Sequence, residues 1–326
     1  MEDSYGRRIN YLRLSVTDRC NLNCLYCQPG EGPTITPPEE LLTAPEIEQV
    51  VRAAVAVGFD KLRLTGGEPT VRPDIVEIVE RLAGVPGLEE LLMTTNGVRL
   101  KYLAEPFYRA GLRRVNIHLD SLDAARVQRL MGLGAPQKVW DGILAAEQAG
   151  LVPIKLNMVL TRGYNDADVV DMARLTLEHD WHVRFIELMP LGDRAHFAYD
   201  YYVPSQEAMD RIQAALGALV PLYDGQLVGE ARLYRLGGAP GTLGFINPVS
   251  NPYCDSCNHM RITADGQVRL CLLADHELSL RDALRAGGSQ EELVALFRQA
   301  IAAKPFGLHL QHGHAPAGRT MVRIGG

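Results

Sequence analysis

Cysteines are the residues of this chain best suited to chemistry, and they fall into two groups of three. The first group is Cys20, Cys24 and Cys27, and the second is Cys254, Cys257 and Cys271. Cysteine thiolates are the usual ligands of iron–sulfur clusters. Three thiolates leave one iron of a four-iron cluster without a protein ligand, so a small molecule can bind and react there, as at a catalytic zinc. The spacing of the first group predicts such a cluster.

Disulfides and zinc are the alternative explanations for these thiols. A disulfide framework suits a short secreted domain, whereas this chain has 326 residues and opens with polar residues that do not resemble a signal peptide. Zinc at the first group needs a fourth ligand, and the nearest histidine in the sequence is His118. At the second group, His259 or His276 could complete a Cys3His zinc site, so zinc stays open there. We expect a reducing, cytoplasmic compartment for six unpaired thiols.

Composition and charge restrict the class of partner. The length of 326 residues leaves room for one large domain or two ordinary ones, and a hydrophobic fraction of 47% is enough for a sizeable core. The net charge of −6 argues against a broad nucleic-acid surface, so an anionic substrate requires a local cluster of Arg and Lys. No apolar run approaches the roughly 18 residues of a membrane span. We therefore expect neither nucleic acid nor membrane as a partner.

Strand and helix patterns alternate through the first two thirds of the chain. Six strand patterns, each but the last followed by a helical pattern, lie at 11–16, 62–65, 90–95, 114–119, 154–160 and 182–189. This alternation predicts an α/β fold with a parallel sheet and helices outside. Six units are too few for a closed eight-unit barrel. We predict an incomplete six-unit (β/α) barrel, with a doubly wound sheet as the alternative.

Polar residues alternate along one face of most predicted strands. These residues are Arg13 with Ser15, Arg63 with Thr65, Asn116 with His118 and Asp120, and Lys155 with Asn157. Side chains two residues apart share a face. Strands buried on both faces read as continuous apolar runs. The polar faces therefore predict an inward-facing cavity rather than a second apolar layer.

The repeat stops after residue 192, and a different region follows. A helical pattern at 205–219 precedes short strand patterns at 231–236 and 242–246. A hairpin is predicted around Asp265-Gly266, and it returns Cys271 to the neighbourhood of Cys257. We predict two domains, a partial barrel at 1–204 and a C-terminal α+β region at 205–326 that carries the second cysteine group.

The first cysteine group resembles the signature of the radical S-adenosylmethionine (SAM) enzymes in the stretch Cys20-Asn21-Leu22-Asn23-Cys24-Leu25-Tyr26-Cys27. A turn after the second predicted strand, Gly66-Gly67-Glu68-Pro69, resembles a motif of the same enzymes. The resemblance implies a [4Fe-4S] cluster whose open iron chelates SAM, and reductive cleavage of SAM to a 5′-deoxyadenosyl radical. The SAM contacts that it implies are Tyr26, Gly66, Gly67, Glu68, His118 and Met189.

Over its whole length the chain is similar to the GTP 3′,8-cyclases of molybdenum cofactor biosynthesis, with matching stretches at 12–20, 64–69, 94–97, 185–189 and 254–258. This similarity implies a lyase that converts GTP to (8S)-3′,8-cyclo-7,8-dihydroguanosine 5′-triphosphate. It also implies a second [4Fe-4S] cluster that contacts guanine. The implied GTP contacts are Arg13, Arg63, Thr94, Lys155, His259, Met260 and Arg261. The implied catalytic residues are Arg13, Arg261, Arg323, Gly325 and Gly326, with the tail inserted into the active site.

The same similarity implies partner proteins, and it shows two positions at which this sequence differs from the family. It implies a one-electron reductant protein, a downstream cyclic pyranopterin monophosphate synthase, and a monomer or homodimer. The family usually has serine where His118 stands and arginine where His259 stands. Histidine is mostly neutral at pH 7 and lacks the bidentate fork of arginine. We therefore expect a weaker hold on GTP at His259.

Two other functions and one other tail structure remain as alternatives. The first is a different radical SAM enzyme with an auxiliary cluster, such as a peptide maturase. The second is a non-catalytic carrier of an iron–sulfur cluster or zinc. The alternative for the C-terminus is an unstructured tail, and the group of His309, His312 and His314 is interpreted as part of a solvated tail.

Overall fold

Six parallel strands form the centre of the molecule. A computed structural model describes residues 1–27, 35–191, 195–307 and 319–325. The central strands are β1 (Tyr11–Ser15), β2 (Lys61–Thr65), β3 (Glu90–Thr95), β4 (Arg114–His118), β5 (Lys155–Leu160) and β6 (His182–Glu187). They lie side by side in sequence order, and each pairs in parallel with the next. A doubly wound sheet reverses its strand order at a switch point, so the sequential order excludes that alternative.

Strands from the C-terminal region extend both edges of this sheet. They are β7 (Leu219–Pro221), β8 (Leu227–Val228), β9 (Ala231–Leu236), β10 (Thr242–Ile246), β11 (His259–Ile262), β12 (Gln267–Arg269) and β13 (Glu277–Ser279). β10 pairs in parallel with β6, and β11 pairs in parallel with β1. The described strands thus follow one open path from β13 to β7, with β8 paired to β9. The prediction of an incomplete barrel with a C-terminal α+β region is confirmed.

Helices cover the outside of the central strands. The barrel helices are α1 (Ala44–Ala56), α2 (Ile75–Ala83), α3 (Leu100–Arg109), α4 (Ala124–Met131), α5 (Gln137–Gln148) and α6 (Val169–Glu178). α1 begins with a capping box, in which Thr43 and Glu46 bond each other's backbone N–H. Its apolar face, which includes Ile47, Val50 and Val51, is buried in the core. Burial of one helix stripe against the sheet leaves the opposite sheet face for polar residues.

The later helices are α7 (Ala195–Tyr201), α8 (Ser205–Leu216), α9 (Leu280–Arg285), α10 (Gln290–Ala302) and α11 (Met321–Ile324). The helix predicted at 205–219 is too long at its C-terminus, because Gly217 has a φ of +96° and the chain then enters β7. α8 packs on α6 and β6 of the barrel. Among the described helices, none is long and apolar enough to cross a membrane.

Candidate functional site

The loop after β1 holds the first cysteine group in a fixed place. Its backbone is tied to the end of α4, where Leu25 N–H donates to Leu130 O at 2.9 Å. Within the loop, Cys27 N–H donates to Cys24 O at 3.0 Å, and Leu22 N–H donates to the Cys20 sulfur at 3.4 Å. All six cysteines are free thiols in the structure. The loop therefore presents three thiols together without a disulfide.

The electrostatics of these thiols suit a cationic cluster. Burial, with the charge of Cys20 and Asp120, raises the pKa of Cys27 to about 12. Burial likewise raises the pKa of Cys20 to about 11 and that of Cys24 well above its usual value. Metal ligands must be thiolates, so three buried thiols at this spacing lose their protons only beside strong positive charge. The donor set and its crowding fit a [4Fe-4S] cluster.

The Gly-Gly-Glu-Pro turn packs directly on the cysteine loop. Gly67 N–H donates to Thr17 O at 2.7 Å, and Glu68 N–H donates to Arg19 O at 2.8 Å. A Cβ atom at Gly67 would lie 2.4 Å from Arg19 O, so a side chain does not fit there. The turn is thereby fixed against the loop at the carboxyl end of β2.

The Glu68 carboxylate is hydrogen-bonded to the protein around this turn. It accepts hydrogen bonds from both Thr70 N–H and Thr70 Oγ1, from Thr95 Oγ1 at 2.7 Å, and from Asn96 N–H at 2.6 Å. Burial nevertheless raises the pKa of Glu68 above its usual value. Since its carboxylate oxygens bind neighbouring protein groups, a SAM contact at this residue falls to its backbone.

Tyr26 and His118, two of the predicted SAM contacts, meet at Asp120. Tyr26 donates to Asp120 Oδ2 at 2.6 Å, and His118 Nε2 lies 2.5 Å from the Tyr26 hydroxyl and 3.0 Å from Asp120 Oδ2. Burial lowers the pKa of His118, but the charge and hydrogen bond of Asp120 outweigh it and raise that pKa overall. The sequence analysis placed Asp120 on the polar face of this strand but did not include it among the predicted SAM contacts.

Cations from neighbouring strands come into register inside the barrel. Arg13 on β1 lies opposite Arg63 on β2 and opposite Arg261 on β11. Arg63 also donates to Thr94 Oγ1 at 3.3 Å, so two predicted GTP contacts touch each other. Lys155 on β5 lies opposite His182 on β6. What we call the cation cluster consists of Arg13, Arg63, Arg261 and Lys155, together with Arg184 on β6.

Arg184 belongs to the cation cluster, and the sequence prediction missed it. It lies on β6, opposite Asn157 of β5. The available signal was the alternation of His182 and Arg184, which continues the polar face of the earlier strands. Burial, with the charge of Arg63, lowers its pKa to about 10. The arginine is thus held among like charges.

The pKa of Lys155 shows the excess of positive charge in the cation cluster most clearly. Burial, followed by the charges of Arg184, Arg114, Arg63 and Lys61, lowers its pKa from 10.5 to about 6. Burial and the charge of Arg13 lower the pKa of Arg261 to about 10. Buried cations ordinarily have an anionic partner. The cluster is therefore built to receive a polyanion.

Buried polar atoms beside the cluster point to the same conclusion. Asn116 Oδ1, Asn157 Oδ1 and Arg184 Nε are buried without a hydrogen-bond partner among the described residues. Buried polar atoms almost always have a partner in native proteins. All three belong to strands that line the barrel interior. A ligand with donors and acceptors, as well as negative charge, would satisfy them.

The second cysteine group lines a cavity of about 80 Å³ together with Met189, His259, Arg261 and Lys304. His259 Nδ1 lies 3.8 Å from the Cys257 sulfur. Burial raises the pKa of Cys257, but His259 and Lys304 lower it to about 5. Three thiols at one cavity with a neighbouring cation fit a second cluster. No group of three or more His, Cys, Asp or Glu residues in the described ranges is arranged so that it could hold a single metal ion.

Met260, another predicted GTP contact, faces away from the cation cluster. It lies opposite Leu12 and is buried in the hydrophobic core, whereas its neighbours His259 and Arg261 share the other strand face. A GTP contact at this residue therefore falls to its backbone. His276, the other candidate zinc ligand, is exposed.

The described end of the tail lies inside the barrel. Arg261 Nη1 donates to Gly325 O at 3.4 Å. Gly325 has a φ of +85°, and a Cβ atom there would lie 2.7 Å from Thr65 Oγ1 and 2.9 Å from Ser15 Cβ. Arg323 lies on α11, two residues before Gly325. Gly326 and the group of His309, His312 and His314 lie outside the described residues.

The two cysteine groups lie toward opposite ends of the strands that hold the cation cluster. The first group follows the carboxyl end of β1, and Cys257 precedes the amino end of β11. Because β1 and β11 are parallel neighbours, these two ends are separated by the length of the strands. Arg13 and Arg261 lie between them. The arrangement suits one ligand at each cysteine group and a polyanion beside the arginines.

Comparisons with known proteins match each half of the chain to a protein family. Residues 14–176 match the Radical SAM superfamily, and residues 181–310 match the family Molybdenum Cofactor Synthesis C. The GTP 3′,8-cyclase of Pelotomaculum thermopropionicum is 48% identical over 326 residues, and that of Moorella thermoacetica is 46% identical, with both chains fully covered each time. Streptococcus suis SuiB bound to S-adenosylmethionine has a TM-score of 0.62 at 14% identity, and the match covers 85% of this chain and 65% of SuiB. The last likeness concerns the fold alone.

Proposed function

This chain belongs to the family of GTP 3′,8-cyclases, and we propose that it converts GTP to (8S)-3′,8-cyclo-7,8-dihydroguanosine 5′-triphosphate, the first step of molybdenum cofactor biosynthesis. The observation that carries the proposal is the buried cation cluster between two cysteine groups. It offers separate places for a radical source, a triphosphate and a base. Full-length identity of 46–48% to named cyclases favours this function over a peptide maturase or a metal carrier.

The chemistry begins with SAM at the first cysteine group. Cys20, Cys24 and Cys27 would hold a [4Fe-4S] cluster, which would supply the electron that splits SAM into methionine and the 5′-deoxyadenosyl radical. That radical removes the hydrogen atom from C3′ of GTP, and the C3′ radical adds to C8 of guanine. One electron and one proton then complete the product. We propose a one-electron reductant protein as the source of the electrons.

The protein contributes binding and orientation. The Gly66–Glu68 turn and His118 lie against the first cysteine loop, which contains Tyr26, and we assign these residues to SAM. Met189, which lines the cavity of the second cysteine group, is assigned to SAM as well. The cation cluster and Thr94 are assigned to the triphosphate, because Arg matches phosphate oxygens bidentately. Holding C3′ near the radical and excluding water prevents the radical from reacting elsewhere.

We assign a second [4Fe-4S] cluster to Cys254, Cys257 and Cys271, where it would receive guanine. Lining residues His259 and Arg261 come from β11, and Arg261 also reaches the tail at Gly325. The proposed catalytic set consists of Arg13, Arg261, Arg323, Gly325 and Gly326, and His259 is assigned to GTP binding. A division into domains at residue 204, a cytoplasmic location, and a monomer or homodimer remain parts of the proposal. So does a downstream cyclic pyranopterin monophosphate synthase.

Isotope transfer tests the proposed reaction. Anaerobic protein with both clusters, SAM and a reductant receives GTP that carries deuterium at C3′. We expect 5′-deoxyadenosine to contain one deuterium and the cyclised triphosphate to form in equal amount. GTP labelled at C2′ is the control and should transfer none. Unlabelled 5′-deoxyadenosine from the 3′-labelled substrate would refute GTP as the hydrogen donor.

A further inference from the structure

A carboxylate lies within the site that the cations build for a polyanion. Glu230 Oε1 is 3.3 Å from Arg13 Nη1 and 4.0 Å from His259 Nδ1. Only 21% of the Glu230 side chain is exposed, and its two partners are more buried still. The residue is thus an internal anion at the end of the cation cluster nearest the second cysteine group.

Glu230 is charged under all ordinary conditions. Burial raises its pKa, but the charges of Arg13, His259, Arg63 and Arg184 outweigh burial and hold that pKa at about 2. Three of these four residues belong to the cation cluster. The carboxylate therefore interacts with the cluster as a whole and not only with Arg13.

A tight hairpin holds Glu230 in this position. Leu227 and Val228 of β8 pair with Arg232 and Ala231 of β9, so Gly229 and Glu230 form the turn between them. Gly229 has a φ of +68°, which favours glycine in this turn. β8 contains only two residues and pairs with β9 alone. A turn on so short a strand can shift at lower cost than a turn between long strands.

We propose that Glu230 limits the affinity of the cation cluster for polyanions, because its carboxylate occupies the place beside Arg13 that a substrate phosphate would take. The proposal rests on the function proposed above. A polyphosphate must compete with this internal anion for the cation cluster. Every polyanion meets the same repulsion, so those held by charge alone bind poorly. A nucleotide whose base is also bound retains enough affinity to displace the carboxylate.

Equilibrium binding to the protein with its clusters loaded tests this competition. The probes are GTP, inorganic tripolyphosphate and guanosine, measured anaerobically by calorimetry on the wild type and on Glu230→Gln. We expect Glu230→Gln to bind GTP and tripolyphosphate about tenfold more tightly and guanosine unchanged, because a single charge near the phosphates is removed. The gain should shrink as salt is added, since ions screen the repulsion.

Two further variants keep the test interpretable. Glu48→Gln removes an equal charge from the surface of α1, where Glu48 pairs with Arg52 and Arg81, and it should bind all probes as the wild type does. Glu230→Asp keeps the charge but withdraws it from Arg13, and it should give a smaller gain. If Glu230→Gln leaves tripolyphosphate binding unchanged or weakens it, the proposal is overturned. Failure of the wild type to bind GTP, with tripolyphosphate still bound more tightly by Glu230→Gln, would instead refute the proposed function.

Discussion

Arg319 forms a bidentate ion pair with Asp265, in which Nη1 and Nη2 donate to the two carboxylate oxygens at 3.0 and 2.9 Å. The same guanidinium lies 2.8 Å from Glu277 on β13. Asp265 occupies the turn between β11 and β12. The pair therefore fastens the start of α11 to the hairpin whose Arg261 contacts Gly325.

Breaking this attachment should release the tail from the site. We expect Arg319→Gln to lower GTP-dependent hydrogen abstraction at least about tenfold, because a bidentate, largely buried ion pair is lost. Cluster content and SAM cleavage without GTP should persist. Arg285→Gln, which breaks the more exposed pair with Glu46, is the control and should keep full activity. Full activity in Arg319→Gln would show that the tail does not need this anchor.

Iron content should show whether the second cysteine group holds an iron–sulfur cluster or zinc. Six thiols in two groups predict about eight iron atoms per chain in anaerobic protein. Cys271→Ser should lower the value to about four and leave SAM cleavage intact. Cys24→Ser should abolish SAM cleavage while the second group retains its metal. A zinc content near one, with iron near four, would assign zinc to the second group.

GTP binding should take up a proton through Lys155. Its pKa of about 6 leaves the free lysine mostly neutral at pH 7, and a bound triphosphate favours the charged form. Affinity should therefore be highest below pH 6 and fall as pH rises toward the pKa of the bound lysine. Calorimetry at pH 7.5 in buffers of different ionisation enthalpy measures the uptake.

Lys155→Arg provides the control for this coupling, because arginine stays charged throughout the range. The variant should bind GTP with less proton uptake and a flatter pH profile. Equal uptake in the wild type and in Lys155→Arg would assign the proton to another group.

Gly325 should not tolerate a side chain. A Cβ atom there would lie 2.7 Å from Thr65 Oγ1 and 2.9 Å from Ser15 Cβ. We expect Gly325→Ala to lower product formation at least about tenfold while folding is retained. Gly238→Ala is the matched control, because Gly238 has a φ of +76° and no neighbour within 4 Å of a Cβ atom. Equal effects at both positions would attribute the loss to backbone strain rather than to crowding at the barrel.

Arginine at position 259 should strengthen the hold on GTP. His259 lies 4.0 Å from Glu230, so His259→Arg gains a carboxylate partner as well as a bidentate fork. We expect a several-fold lower Kd for GTP. His259→Lys, which adds the charge without the fork, should gain less. A weaker affinity in His259→Arg would indicate that histidine is required, for example beside Cys257.

The sequence by itself determined the features that depend on short-range geometry. Cys20, Cys24 and Cys27 share one loop because so few residues separate them. The six strand–helix units follow from a periodicity that the backbone imposes within each segment. The Gly-Gly-Glu-Pro turn likewise reflects local backbone needs. These features were sufficient for the open barrel and for its family.

Only the tertiary structure decided which distant side chains meet. Arg13 faces Arg261 because β11 joins the free edge of β1, and no local pattern sets that pairing or its register. Local patterns likewise do not predict the contacts of Glu230, which lies in the turn after the two-residue strand β8. Nor do they predict the contacts of Arg319, which lies in the C-terminal tail. Their charges interact through space and not along the chain. A carboxylate in a hairpin turn is ordinarily solvated, and it becomes part of the site only because the sheet places that turn against buried arginines.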